Sequence, residues 1–384
     1  MQGLITMLLA LPVVTANDWL MIGLRACNGA MLGSLKPIVV GIVAGATPEL
    51  KRGKVYSVMQ VFFSIGSLAA VEITTPLSVH LICGVVFGWR VAFIAFGMFA
   101  GLTGLLILVC MDETNTMQNI KRDTSGYAQL REEIAIFGGY LRMPSFVCLV
   151  LQGMIGAVPW QGLNYMTLYF QMSGLSSATA ALLNTVFVIG RTLGTMLGGT
   201  IGDALAQRCP KSGRPLTANI SVASGIPLVF LIFVAPVPTG WLPFWWYALL
   251  LLVIGLTASW TYTGVNLPIL AELVDVQRSS SILAWETALE ASVAAVAGNA
   301  GVSFLAQHCF GYNLEEAKKT FREEGSDATN AHALGMAMVL TAIPPWFLCF
   351  LCYLVLHWAY RRDKKRLARC SSSISSSRSS SSNS

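Results

Sequence analysis

The chain has 384 residues, 54% of them hydrophobic and 11% charged, with a net charge of +6 and a mean hydropathy of +0.63. Soluble domains carry about 25% charged residues, so an ordinary water-soluble protein is excluded and most of the chain belongs in lipid. The basic residues sit in short links between apolar runs and in the tail, which is a membrane-orientation pattern and not a nucleic-acid footprint.

A membrane-crossing helix needs about 20 mostly apolar residues. Ten runs are read as such helices: 1–16, 18–46, 54–80, 88–110, 142–171, 177–206, 215–236, 241–270, 280–306 and 334–360. The expected fold class is therefore all-α, a polytopic helical membrane protein. Its expected parts are a four-helix bundle at 1–110, a central polar loop at 111–141, a six-helix bundle at 142–362 and a disordered tail at 363–384. The first run is ambiguous. Leu4 to Val14 is apolar and Val14-Thr15-Ala16 resembles a signal-peptidase site, but no basic residue precedes it, which favours a short or incomplete membrane helix. Ser371 to Ser384 is almost all serine and cannot bury apolar surface. Asn219-Ile-Ser221 is a formal glycosylation sequon inside a helical run, expected to be unused.

Orientation follows from Lys and Arg. One set of alternate links holds Lys51, Arg52 and Lys54; Lys121, Arg122 and Arg131; Arg208, Lys211 and Arg214; and Arg278. The tail adds Arg361, Arg362, Lys364, Lys365, Arg366 and Arg369. The opposite set has Arg90, with Lys318, Lys319 and Arg322 diluted by Glu315, Glu316, Glu323, Glu324 and Asp327. The first set, the central loop and the C-terminus are thus expected on the cytoplasmic side. Trp241, Trp245, Trp246 and Tyr247 mark the opposite interface.

Enzyme signatures such as HExxH, GxSxG, a P-loop and GxGxxG after a strand do not occur. His80, His308, His332 and His357 lack ligand spacing, and most of the nine cysteines lie inside apolar runs. Cys349-Phe-Leu-Cys352 is formally CxxC, but in the last run it reads as packing. No enzymatic activity, cofactor or metal is expected.

The informative residues are charges at membrane depth, which are costly there and face a cavity or a partner. Arg25 and Lys36 are eleven residues apart, about three helical turns, so they share a face. Gly29 and Gly33 follow Arg25 at four-residue steps as a stripe that lets a second helix approach. These cations either wall an anion-attracting cavity or, for Arg25, turn outward to pair with Asp18. Glu72 is a counter-ion or a coupling group. Arg191 lies near the centre of its run. Glu286 and Glu290 fall one turn apart on one face, where neighbouring carboxylates favour a shared proton. Either they serve proton coupling or a cationic group, or Arg191 or Lys36 neutralises them. Gln152, Trp160, Gln161, Asn164 and Tyr165 surround Gly153, Gly156, Pro159 and Gly162 in a run able to bend, and Tyr262 and Asn266 adjoin Pro268. Interhelical hydrogen bonding is the simpler reading of these polar residues one by one.

Two stretches repeat one pattern. Gly33-Ser-Leu-Lys-Pro37-Ile38 precedes a polar break at Pro48 to Arg52, and Gly264-Val-Asn-Leu-Pro268-Ile269 precedes a break at Glu272 to Arg278. Duplicated helical halves are a frequent transporter architecture. Several motifs also resemble the major facilitator superfamily. Arg25-x3-Gly29-x3-Gly33-x3-Pro37 is similar to its fourth helix, Arg52-Gly53 to the beginning of the next loop, and Gly88-Trp89-Arg90-Val-Ala-Phe93 to the beginning of its sixth helix. Gly198-Gly199-Thr-Ile-Gly202-Asp203 with Arg208 and Gly213-Arg214 resembles the loop signature after its eighth helix. The likeness covers roughly 1–362, with a fainter one to spinster-type carriers.

The resemblance implies two bundles rocking about a central site, with Asp203, Arg208 and Arg214 as a cytoplasmic gate. On this alignment the family's first two helices are missing, as is the Gly-Pro signature of drug/proton antiporters. The resulting expectation is a secondary transporter, acting as a monomer in the lipid bilayer, for a small organic solute with protons as a coupling ion. The alternative is a non-transporting sensor or partner subunit built on a truncated carrier. The expected solute and ion path is Arg25, Lys36, Glu72, Trp160, Gln161, Asn164, Arg191, Asn266, Glu286 and Glu290.

Overall fold

The computed structural model describes the backbone of residues 1–48, 51–78, 81–82, 86–110, 126–239, 242–274, 278–317 and 326–381, and their side chains except at 44–45, 71–82, 126–130, 177, 279–280 and 367–381. The side chain of Glu72 lies outside the described residues, as do Trp241, Asp275, Lys121, Arg122 and the acidic and basic residues of 318–325. Among the described residues, eight helices are long and apolar enough to cross a membrane. The chain forms two compact units, Met1–Val40 with Ile65–Ile136, and Gly41–Ser64 with Phe137–Ser384.

In the first unit the run at 1–16 is not one helix. It breaks into α1 (Gln2–Leu8) and α2 (Pro12–Thr15), because Pro12 opens a new first turn and Leu11 before it is extended. α3 (Asp18–Ala46) and α4 (Arg52–Ser78) contribute part of their length to each unit. A two-residue hairpin follows, β1 (Leu81–Ile82) against β2 (Val86–Phe87), where only a link was expected. β-Branched and aromatic residues favour this extended pairing. α5 (Gly88–Cys110) then packs on α1 through glycine. A methyl on Gly3 would sit 2.4 Å from the Gly97 carbonyl oxygen, and one on Gly97 would sit 2.4 Å from Met7. Arg90 ties α5 to the α2 region, with Nη2 donating to Thr15 Oγ1 at 3.1 Å. The polar stretch 111–141 contains α6 (Gly126–Tyr140), whose Phe137 turns inward against Phe146 and Trp285.

The second unit holds most of the core. The run 142–171 is segmented into α7 (Pro144–Gly156), α8 (Val158–Gly162), a 3-10 turn at Leu163–Tyr165 and α9 (Met166–Met172). The bend falls among the predicted glycines and Pro159. α10 (Ser177–Arg208) begins at Ser176, which accepts from the Thr179 amide as an N-cap. α11 (Gly213–Phe233) and α12 (Pro243–Ala258) pack beside it. A π-helical stretch, Tyr262–Asn266, leads into α13 (Leu267–Leu273). α14 (Ser279–Ala294) runs through a second π stretch, Ala295–Ala300, into α15 (Gly301–Phe304) and a third π stretch, Leu305–Cys309. The last helix, α16 (Ala328–Ser381), continues through the tail expected to be disordered. Its extension needs no new nucleus, and Lys, Arg, Leu and Ala at 361–369 are good helix formers.

α10 is the organising helix. Gly190, Gly194, Gly198 and Gly202 recur every four residues, so they form one stripe. Methyls there would lie 2.8 Å from Leu252 O, 2.3 Å from Gly255 O, 2.5 Å from Trp260 Cα and 2.5 Å from Gly264 O. Backbone meets backbone along the whole seam. The stripe predicted in α3 behaves differently, since a methyl on Gly29 or Gly33 would touch nothing.

Candidate functional site

At one end of the second unit, largely buried charges converge from four helices, and a fifth adds a tyrosine and an exposed lysine. Asp203 near the end of α10 faces the first turn of α4, where its Oδ2 accepts from the Lys54 amide at 3.1 Å. A free helix N-terminus welcomes a carboxylate, and glycine at 53 permits the approach. A methyl there would stand 2.6 Å from Asp203 Oδ1. One turn along, Gly199 brings α10 onto Ser57, whose hydroxyl lies 2.8 Å from Gly53 O and 2.9 Å from Thr195 O.

Arg214 in the first turn of α11 then links two carboxylates. Its Nη1 is 3.1 Å from Asp203 Oδ1 and donates to Gly264 O at 3.0 Å, while Nε is 3.5 Å from Glu272 Oε1. Glu272 also accepts from the Tyr360 hydroxyl and from Lys364 Nζ at 3.3 Å, both on α16. Arg52 completes the cluster. It is buried and donates to Ala271 O from Nη1 and Thr47 O from Nε, each at 3.2 Å. Of the three predicted gate residues, Asp203 and Arg214 are therefore together. Arg208 is exposed at the end of α10 and takes no part. Glu272, Arg52, Tyr360 and Lys364 were not predicted as gate members. Arg52 and Glu272 stand in the two breaks of the repeated pattern, and that symmetry was the available signal.

A second polar cluster lies deeper. Glu286 is buried and Glu290 partly buried, one turn apart on α14. Both carboxylates face Gly153 of α7, with Glu290 Oε2 at 3.2 Å and Glu286 Oε1 at 3.9 Å from where its methyl would be. Both act electrostatically on the half-buried Tyr262. Tyr353 of α16 donates to Asn266 Oδ1 at 2.8 Å, and the Cys349 thiol is 3.8 Å from Gln152 Oε1. π-Helical segments often occur at functional sites because the extra residue redirects side chains. Here one π stretch carries Tyr262 and Asn266, and a second carries Asn299.

Asn299 gathers two more predicted residues. Asn164 donates to Gln161 Oε1 at 2.9 Å, and Asn299 Nδ2 to the same oxygen at 3.3 Å. Tyr165 lies 2.9 Å from Ser303 Oγ. Trp160 stacks on Phe187 and meets Trp346 edge to face. Arg191 is partly buried, and its guanidinium has no hydrogen-bond or ion-pair partner among the described residues, so it does not neutralise the glutamates. Arg25 is exposed on α3 and Lys36 partly buried, and Asp18 and Arg25 form no ion pair with each other. The sequon residue Asn219 is buried, donates to Phe350 O and meets His357, which leaves no room for a glycan.

The sequence profile described as Major Facilitator Superfamily matches residues 1–298. The chain belongs to the Major Facilitator Superfamily. It is thus an integral multi-pass membrane protein and a secondary transporter of small-molecule solutes, not an enzyme. Among solved structures, the proton:xylose symporter XylE bound to 6-bromo-6-deoxy-D-glucose matches with a TM-score of 0.54 at 16% identity, over 88% of this chain and 72% of that one. A bacterial homologue of the human lysosomal transporter Spinster, inward-facing and unoccupied, matches at 0.47 and 19% identity, over 92% and 72%. Curated protein sequences return no match.

Proposed function

We propose that this transporter carries a small organic solute bearing an anionic group, by alternating access and with proton coupling. The observation that supports this most is the Glu286–Glu290 pair, held over Gly153 and acting on Tyr262. Two carboxylates one turn apart in low dielectric favour sharing a proton, so taking up and releasing one proton is their natural chemistry. Arg191 supplies the complementary charge: a guanidinium with no carboxylate partner among the described residues is stabilised at membrane depth by an anionic solute. Trp160, Gln161, Asn164 and Asn266 of the same unit shape the path.

The Asp203–Arg214–Glu272 cluster acts as a cytoplasmic latch. It clamps the first turn of α4 to α10, α11, α13 and α16, and each transport cycle breaks and remakes it. The basic links at this end support a cytoplasmic location for it.

Uptake into proteoliposomes, with an imposed pH gradient and a panel of carboxylate- and phosphate-bearing solutes, tests the reading. Glu290→Gln is expected to keep solute exchange but lose acceleration by the proton gradient, and Arg191→Gln to lose both. Unchanged gradient-driven uptake in both variants overturns the assignment.

A further inference from the structure

We infer that the face of α16 just past its membrane-crossing part is a binding site for an anionic phospholipid. Four cations, Arg361, Arg362, Lys365 and Arg366, line an open groove of about 880 Å³ together with Trp358 and His357. Among the described residues no carboxylate pairs with any of the four. The acid in the same stretch, Asp363, is buried on another face, where it accepts from the Ser145 amide at 2.9 Å. Arg362 stacks over Trp358, 5.3 Å from the ring centroid, which holds its charge at the depth an interfacial tryptophan prefers.

An apolar track leads into the groove. Phe347, Leu351, Leu354 and Trp358 follow at steps of four, three and four residues, so they share one face, and each is at least 40% exposed. Eleven residues of helix rise about 16 Å, close to half of a ~30 Å hydrocarbon core. An acyl chain laid along this track places its headgroup on the cations. That continuity favours a lipid over a free phosphate, and clustered Lys and Arg beside a membrane helix suit anionic headgroups.

The site also touches the latch. Arg361 donates to Ser212 Oγ at 3.0 Å, two residues before Arg214, and the same turns of α16 send Tyr360 and Lys364 to Glu272. A headgroup here braces α16 and the segment leading to Arg214 together.

The test is thermal unfolding of the full-length protein in detergent, titrated with dioctanoyl phosphatidylserine, dioctanoyl phosphatidylcholine or inorganic phosphate. The serine lipid is expected to raise the melting temperature, less so at high salt, while the choline lipid and phosphate do not. Each basic residue near an anionic headgroup contributes roughly fivefold, so Arg362→Gln, Lys365→Gln and Arg366→Gln together weaken the response about a hundredfold. The charge-keeping set Arg362→Lys, Lys365→Arg and Arg366→Lys retains it, which separates lost charge from lost folding. An equal shift with phosphatidylcholine or with phosphate overturns the proposal, as does full affinity in the glutamine variant. The transport variant Arg191→Gln keeps the lipid response. If the response vanishes there, the lipid binds in the solute path and this site is wrong.

Discussion

Asp203→Asn isolates the latch. The carboxylate is buried, 3.1 Å from Arg214 and 3.1 Å from the Lys54 amide. Removing one partner of a buried ion pair costs about 3–5 kcal/mol, because the remaining charge is stranded. Two features reduce that here. The asparagine oxygen still accepts from the amide, retaining about 1 kcal/mol, and Glu272 still faces Arg214. A net loss of about 2–3 kcal/mol remains, which at 1.4 kcal/mol per decade makes opening roughly thirty- to hundred-fold easier. Hydrogen exchange reads this directly, since an amide bonded to the latch exchanges only when it opens. Peptides covering 52–57 are expected to exchange faster by that factor in the variant, while peptides in α12 stay unchanged. Equal protection of 52–57 in both proteins refutes the claim that this carboxylate clamps α4.

Gly194→Ala places a methyl 2.3 Å from the Gly255 carbonyl and 2.5 Å from Ser259 Oγ. Neither backbone can retreat alone, so a loss of about 1–3 kcal/mol is expected in thermal unfolding, whereas Gly29→Ala, with open space around it, stays near neutral or stabilises α3. Arg90→Leu removes the bonds to Thr15 and Ala10. Limited proteolysis is then expected to cut near residues 9–17 sooner than in the parent protein. Tyr353→Phe strips Asn266 of a buried donor. It is expected to lower stability by about 1–2 kcal/mol and to change solute affinity if Asn266 lines the path.

The membrane class and most of the helices were legible because hydropathy at a 20-residue scale is dictated by the bilayer alone. The misses have a different origin. Breaks at Leu11 and within 157–165, and the three π-helical stretches, depend on which helix packs alongside, and a single run carries no record of its neighbour. The glycines make the point best. Gly29–Gly33 and Gly190–Gly194–Gly198–Gly202 read as the same motif, yet only the second has backbone against it. Charges followed the same division. The repeated pattern placed Arg52 and Glu272 in its two polar breaks, but their partners differ in three dimensions: Arg52 donates to the Thr47 and Ala271 carbonyls, and Glu272 meets Arg214, Tyr360 and Lys364. A duplicated sequence therefore predicts where polar groups must be satisfied and leaves open which partners satisfy them. That asymmetry is physically useful in a latch. The Arg52 bonds to the Thr47 and Ala271 oxygens do not depend on the carboxylates, whereas the Arg214 links to Asp203 and Glu272 do, so replacing either acid with its amide is expected to loosen the second set first.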